Sequence, residues 1–278
     1  LPDVDPDPRI EWRWEHLTLG ARWGHRALYH PGRHSMIVVG GMYQRSLYSD
    51  AWEIPLDPPS NPRRIGGLNF GGFAPDASAV LDSRRNRLIV HGGSYERPVD
   101  CCYGYMYSEH GVTQATELSG SDSWFVLEDG RCRSGCPQPQ ARFQHVAVYD
   151  PRRDRIVIFG GGEHISNYIY PELWTRFHDA WELTMDDPAT WHPLSTIGEV
   201  PSVSAAGGAV LDAGRDRMLY VWGDRLWSLD LETLAWDSLV VAGPGPVEGC
   251  TIALDEEHRR LFAAAFGSVW RLDLDRPL

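Results

Sequence analysis

His145-Val-Ala-Val-Tyr-Asp150-Pro-Arg-Arg-Asp-Arg155-Ile-Val-Ile-Phe-Gly160-Gly161 is the stretch on which the fold turns. It reads as a short strand, a turn set by Asp150 and Pro151, a second strand and a glycine pair. The run Ile156 to Phe159 is apolar at every position, so it suits a strand covered on both faces. The same template returns at His25 to Gly41, Ala77 to Gly93, Gly207 to Gly223 and Thr251 to Gly267. After each copy a further strand opens on tryptophan: Trp52, Trp124, Trp181, Trp227 and Trp270. These indoles are expected to fill the wedges between neighbouring sheets. A fourth strand is visible at Thr190-Trp191-His-Pro-Leu194 and Ala235-Trp236-Asp-Ser-Leu239.

Short four-stranded units repeated along a chain predict an all-β fold, a β-propeller of four-stranded blades. Five copies predict five blades, with six as the alternative count, in one domain spanning 1–278 behind a flexible leader at 1–8. The fifth copy stops after its third strand, and Glu11-Trp12-Arg13-Trp14-Glu15-His16-Leu17 resembles Thr190 to Leu194. The expectation is that this N-terminal strand completes the last blade and closes the ring, leaving no open sheet edge.

The apolar run into Gly-Gly followed by a strand-heading Trp resembles the kelch-repeat β-propellers over essentially the whole chain. Arg22-x-x-His25 and Arg142-x-x-His145 match that family's usual strand opening. Copies four and five depart from it, each carrying one glycine rather than two, and kelch rings more often have six or seven blades. The resemblance implies the fold. It leaves function open, because kelch propellers include substrate-recruiting adaptors, a sialic-acid mutarotase, nitrile-specifier proteins and galactose oxidase.

Composition narrows the field. With 26 basic and 38 acidic residues the formal charge is −12, a poor match for nucleic acid. All the basic residues are Arg, a bias that fits a GC-rich bacterial genome. Without Lys there is no Schiff-base lysine and no Walker-type phosphate loop. No apolar run reaches the ~20 residues of a membrane helix, so no membrane insertion is expected. Cys101, Cys102, Cys132, Cys136 and Cys250 match no common zinc spacing, and their redox state stays open between disulfides and reduced thiols. The Pro/Asp-rich start at Leu1 reads as a trimmed or mature end without a signal peptide, compatible with cytoplasm or export.

Positions 40, 92, 160, 222 and 266 are 52, 68, 62 and 44 residues apart, and the excess falls in the connections of copies one to three. Those connections, Met42 to Ser49, Ser94 to Ser121 and Gly162 to His178, carry Tyr43, Arg45, Tyr95, Arg97, Glu163, His164 and His178. Aromatic, Arg and His side chains on long connections are the composition of recognition surfaces. They are expected to share one face with the lead-ins to the first strands, where Arg22, His25, Arg142 and His145 lie. There the two arginines would clamp an anion, or else bond neighbouring carbonyls.

The predicted function is therefore a binding propeller for a protein, a peptide or a small anionic ligand. The alternative is a small-molecule enzyme of isomerase, lyase or oxidase type at the same mouth. No cofactor is required, although His25, His91, His145, His164, His178 and Glu163 offer ligands for a divalent metal. No Gly-x-Ser-x-Gly nucleophile motif is present.

Overall fold

A hairpin begins every repeat, and its turn explains the Asp–Arg bias of the sequence. The computed structural model describes the chain except residues 1–18, 20, 45, 49, 57–59, 66–74, 100–103, 110, 120–122, 131–136, 165–173, 203–206, 242, 244, 247–249, 266–267 and 276–278, and the side chains of 95–99 and 104–108.

The first repeat forms β1 (Arg26–His30) and β2 (Ser35–Val39), a small side hairpin of β3 (Met42–Tyr43) and β4 (Ser46–Leu47), then β5 (Ala51–Pro55) and β6 (Arg63–Ile65). The second forms β7 (Ser78–Asp82), β8 (Arg87–His91), the side hairpin β9 (Ser94–Val99) with β10 (Gly104–Glu109), then β11 (Thr113–Glu117) and β12 (Trp124–Glu128). The third forms β13 (Val146–Asp150), β14 (Arg155–Phe159), the side hairpin β15 (Gly162–His164) with β16 (Trp174–Arg176), then β17 (Ala180–Thr184) and β18 (Thr190–Leu194). The fourth has no side hairpin: β19 (Gly208–Asp212), β20 (Arg217–Trp222), β21 (Arg225–Asp230) and β22 (Trp236–Leu239). The fifth has β23 (Thr251–Asp255), β24 (Arg260–Ala265) and β25 (Ser268–Asp273).

Each repeat is one antiparallel sheet, and the first strands β1, β7, β13, β19 and β23 lie beside one another in that order. The chain is a five-bladed β-propeller. Four blades have four strands, and the fifth has three among the described residues. The strand expected from Glu11 to Leu17 lies outside the described residues.

Two sequence readings are corrected here. Trp124 opens the fourth strand of blade 2, not the third; the third is the tryptophan-free β11. The side hairpin β9–β10 had hidden that strand inside what reads as one long loop. The wedges are also filled differently. Trp52 and Trp181, heading third strands, are half-buried and donate their indole N–H to Asp50 and Asp179. Trp227 on the third strand of blade 4 is buried, as are the fourth-strand tryptophans Trp124, Trp191 and Trp236, each in a core shared with the preceding blade. Trp124 shares a core cluster with Ile37 and Val39, Trp191 with Ile89 and Ala115, and Trp236 with Val157 and Phe159, on whose ring it packs at 4.7 Å. Burying a large aromatic there contributes ~2–3 kcal/mol of transfer free energy per blade.

The turns between first and second strands lock the blades on one rim. Asp82, Asp150 and Asp212 are buried at the ends of β7, β13 and β19, where they accept from Nε of Arg87, Arg155 and Arg217. Neighbouring turns are then tied across blades: Arg85 to Asp154, Arg153 to Asp216, and Arg259 to Asp212, all bidentate.

Candidate functional site

In a four-stranded antiparallel blade, the second-to-third connection and the lead-in to the first strand fall on the rim opposite those turns. The side hairpins are therefore three arms on one rim, carried by blades 1, 2 and 3. Blades 4 and 5 have only short connections there, between Trp222 and Arg225 and between Ala265 and Ser268.

The arms are anchored by a bracket that appears twice. Arg22 donates to Gly40 O at 3.1 Å and to Asp50 Oδ1 at 2.7 Å, and its guanidinium lies 4.3 Å from the Tyr48 ring centroid. Arg142 donates to Gly160 O at 2.9 Å and to both Asp179 oxygens at 2.7 and 3.0 Å, and lies over Phe177 at 4.6 Å. Burial alone would raise the Asp179 carboxyl, but Arg142 holds it below its usual value. The glycine pairs are part of the bracket. Gly41 has φ +92° and a Cβ there would stand 2.8 Å from Trp23 O; Gly161 has φ +80° and would meet Phe143 O at 2.6 Å. Both arginines thus spend their donors inside the blades, which fits the carbonyl-bonding alternative rather than an anion clamp.

Between the two brackets lies a buried histidine pair. His145 Nε2 is 2.7 Å from Ser78 Oγ, His91 Nδ1 is 2.9 Å from Thr113 Oγ1, and the two rings meet edge-on at 5.2 Å. His91 also packs on Trp191 at 4.9 Å. Burial, with the positive Arg142 nearby, lowers His91 to about 3 and pushes His145 well below the ordinary imidazole value. Both rings are neutral at pH 7. His91 Nε2 and His145 Nδ1 meet no hydrogen-bonding partner among the described residues.

The second and third arms join each other. His164 Nδ1 lies 2.6 Å from Glu109 Oε1, its backbone N–H donates to the same oxygen at 3.0 Å, and its ring stacks on Phe143 at 4.3 Å and 8°. Trp174 also packs on Phe143, at 5.4 Å and 53°, and Arg176 lies over Trp174. Burial would raise Glu109, but its hydrogen bonds to His164 hold it low. Ser94 Oγ is 3.4 Å from the same Nδ1. Hydroxyl and carboxylate therefore meet one nitrogen, whereas a nucleophile–base–acid line needs them on opposite nitrogens. Glu163 accepts from Gln140 at 2.6 Å.

The first arm is bare by comparison. Trp23 occupies the place in blade 1 that Phe143 holds in blade 3, each exchanging backbone hydrogen bonds with the first residue of its arm. Phe143 is 5% exposed, whereas Trp23 is 54% exposed, with Tyr43 at 43% and Leu47 at 37% beside it.

The remaining predicted residues divide. His25 and His178 are exposed. Tyr95 and Arg97 pair through their backbone with Ser108 and Met106, and their side chains lie outside the description, as does all of Arg45. Among the described residues no three His, Cys, Asp or Glu side chains converge as metal ligands, so His25, His91, His145, His164, His178 and Glu163 do not assemble into one site. Cys250 is buried and in no disulfide, and the other four cysteines lie outside the described residues. No described helix is long and apolar enough to cross a membrane. Sequence reasoning missed Glu109, Phe143, Trp23 and Leu47. A signal existed for Trp23 and Phe143, the shared Arg-aromatic-x-His pattern; Glu109 had none, because its partner is 55 residues away.

Comparison with known proteins agrees on the fold. No family model matches the chain. It is similar to human Host cell factor 2, 27% identical over an alignment 250 residues long that covers 82% of this chain and 28% of that one. The chain thus spans little more than a quarter of that relative's length. Among solved structures, YjhT superposes with a TM-score of 0.63 at 14% identity, covering 89% of this chain and 73% of that one. YjhT is a propeller. The shared feature is the fold.

Proposed function

We propose that the protein is a kelch-type binding propeller whose arm rim recognises a protein or peptide. The observation that carries this reading is the exposure of Trp23, Tyr43 and Leu47 on and beside the first arm, where Phe143, the counterpart of Trp23 in blade 3, is buried. Exposed aromatics on paired strands give contact area at little entropy cost and suit the anchors of an interface. The closed arginine brackets favour a protein or peptide over a small anion, since Arg22 and Arg142 already hold carboxylates of their own.

The test is a random peptide library selected on the purified protein. Selected peptides should bind the Trp23→Ser/Tyr43→Ser double variant at least about tenfold more weakly, from the loss of about 1.4 kcal/mol or more at two anchors. The variant's melting temperature should be unchanged. Peptides that bind both proteins equally would remove the first arm as the recognition surface.

A further inference from the structure

Arg26 opens β1, the innermost strand of blade 1, at the end that belongs to the arm rim, where it pairs with Val39 just before the Gly40–Gly41 bend. Strand register sets Ser78, Val146, Gly208 and Thr251 at the same level in the other blades. The ring of first strands therefore carries one charge at this level, among small or neutral side chains.

The repeat shows what that charge meets. Leu28, two residues on and on the same strand face, packs in the core that includes Ala77 and Ala79 of blade 2, so Arg26 also faces blade 2. One blade further on, Ser78 Oγ meets His145 Nε2 at 2.7 Å. The residue of blade 2 that matches His145 is Ala77, whose methyl group offers no hydrogen bond. Among the described residues the Arg26 guanidinium makes no hydrogen bond and no ion pair. Asp76 acts on it only at longer range, and that carboxylate takes the side-chain amide of Gln144 at 3.3 Å. Burial disfavours the charge, yet the side chain is only half-buried, and Thr251 on the same level is exposed. Arg22 and Arg142 differ, since each holds a carboxylate at 2.7 Å. A deep cation without a counter-charge from its own chain favours an anion from outside.

We propose that Arg26 binds a carboxylate at the arm-rim mouth of the propeller channel, its planar fork taking both oxygens. One cation with Asp76 in range suits a single negative charge better than a doubly charged phosphate. Two sources share that chemistry: a small free carboxylate, and an acidic side chain or C-terminus of a peptide held by the arms. The second source rests on the arm reading above; the site itself does not.

The experiment follows the melting temperatures of the full-length protein and of Arg26→Met. Exchanging about 0.1 M chloride for acetate should raise the wild-type midpoint by about 3 °C, the shift of a ligand at roughly ten times its dissociation constant. Arg26→Met should not respond to the exchange. In chloride it should melt no lower than wild type, because a deep charge without a counter-ion does not stabilise the fold. Peptides selected on the arms give a second readout. Those carrying Asp, Glu or a free C-terminus should bind Arg26→Met about tenfold more weakly, and C-terminal amidation tells side chain from terminus. An acetate response alone assigns the site to a free carboxylate, and a peptide response alone assigns it to the partner's. Failure to select any peptide breaks the arm reading and leaves the acetate response to decide this one. Acetate acting equally on both proteins, with peptides indifferent to Arg26, would overturn the proposal. So would a variant that unfolds or melts several degrees lower, since Arg26 would then have its counter-charge within the fold.

Discussion

The two rims of the propeller are held together by different physics. On the turn rim, the same device repeats through blades 2, 3 and 4: Asp82, Asp150 and Asp212 are buried and each accepts from Nε of the arginine five residues on. On the arm rim, equivalent positions diverge. Phe143 is buried against His164 and Trp174, while Trp23 is exposed. Repetition on one side and divergence on the other separate the part that makes a ring from the part proposed to recognise a partner.

The sharpest way to break that contrast is to empty the turn rim. Asp150→Ala leaves Arg155 buried without its Nε acceptor and removes one of the two carboxylates that Arg153 bonds, and should cost about 3–5 kcal/mol of unfolding free energy in a urea titration. Peptide binding at the arm rim should persist wherever the variant is folded. A loss below about 1 kcal/mol would mean that the turn rim does not hold the ring.

Acid should act next. His91 is held neutral by burial and titrates in the folded state at about 3, below its unfolded value near 6.5. The unfolded chain therefore binds the proton first. Its contribution is complete above pH 6.5 and falls as pH drops through the window from about 6.5 to about 3. By pH 5 the loss from His91 alone is about 2 kcal/mol, read as the urea midpoint against pH. The His91→Gln variant should lose that part of the slope; an unchanged slope would assign it to the carboxylates.

The smallest effect belongs to the exposed ties. Arg85→Ala removes a partly exposed pair with Asp154 and should cost no more than about 1 kcal/mol, less at 1 M salt than at low salt. A large, salt-independent cost would place that pair among the buried ones.

Legibility followed sequence distance. The hairpins, the Gly-Gly bends and the blade count could be read because each depends on residues within about twenty positions of one another. Trp124 was misplaced in the order of strands because β9–β10 inserts a second strand pair without a tryptophan to mark it. Arg22 and Arg142 were recognised as special, but whether they face a ligand or a carbonyl depends on Asp50 and Asp179, which only folding brings to them. The contact of His164 with Glu109 joins two different blades and left no trace in either segment.

From the chain alone came the repeat, the alternation of apolar and turn residues, and the position of the three long connections. These are local properties, set by side-chain period and by the backbone limits of Gly, Pro and Asp. Only the assembled propeller decided which equivalent side chains are covered and which are bare. Burial is a sum over neighbours from other blades, and a linear pattern holds no record of them.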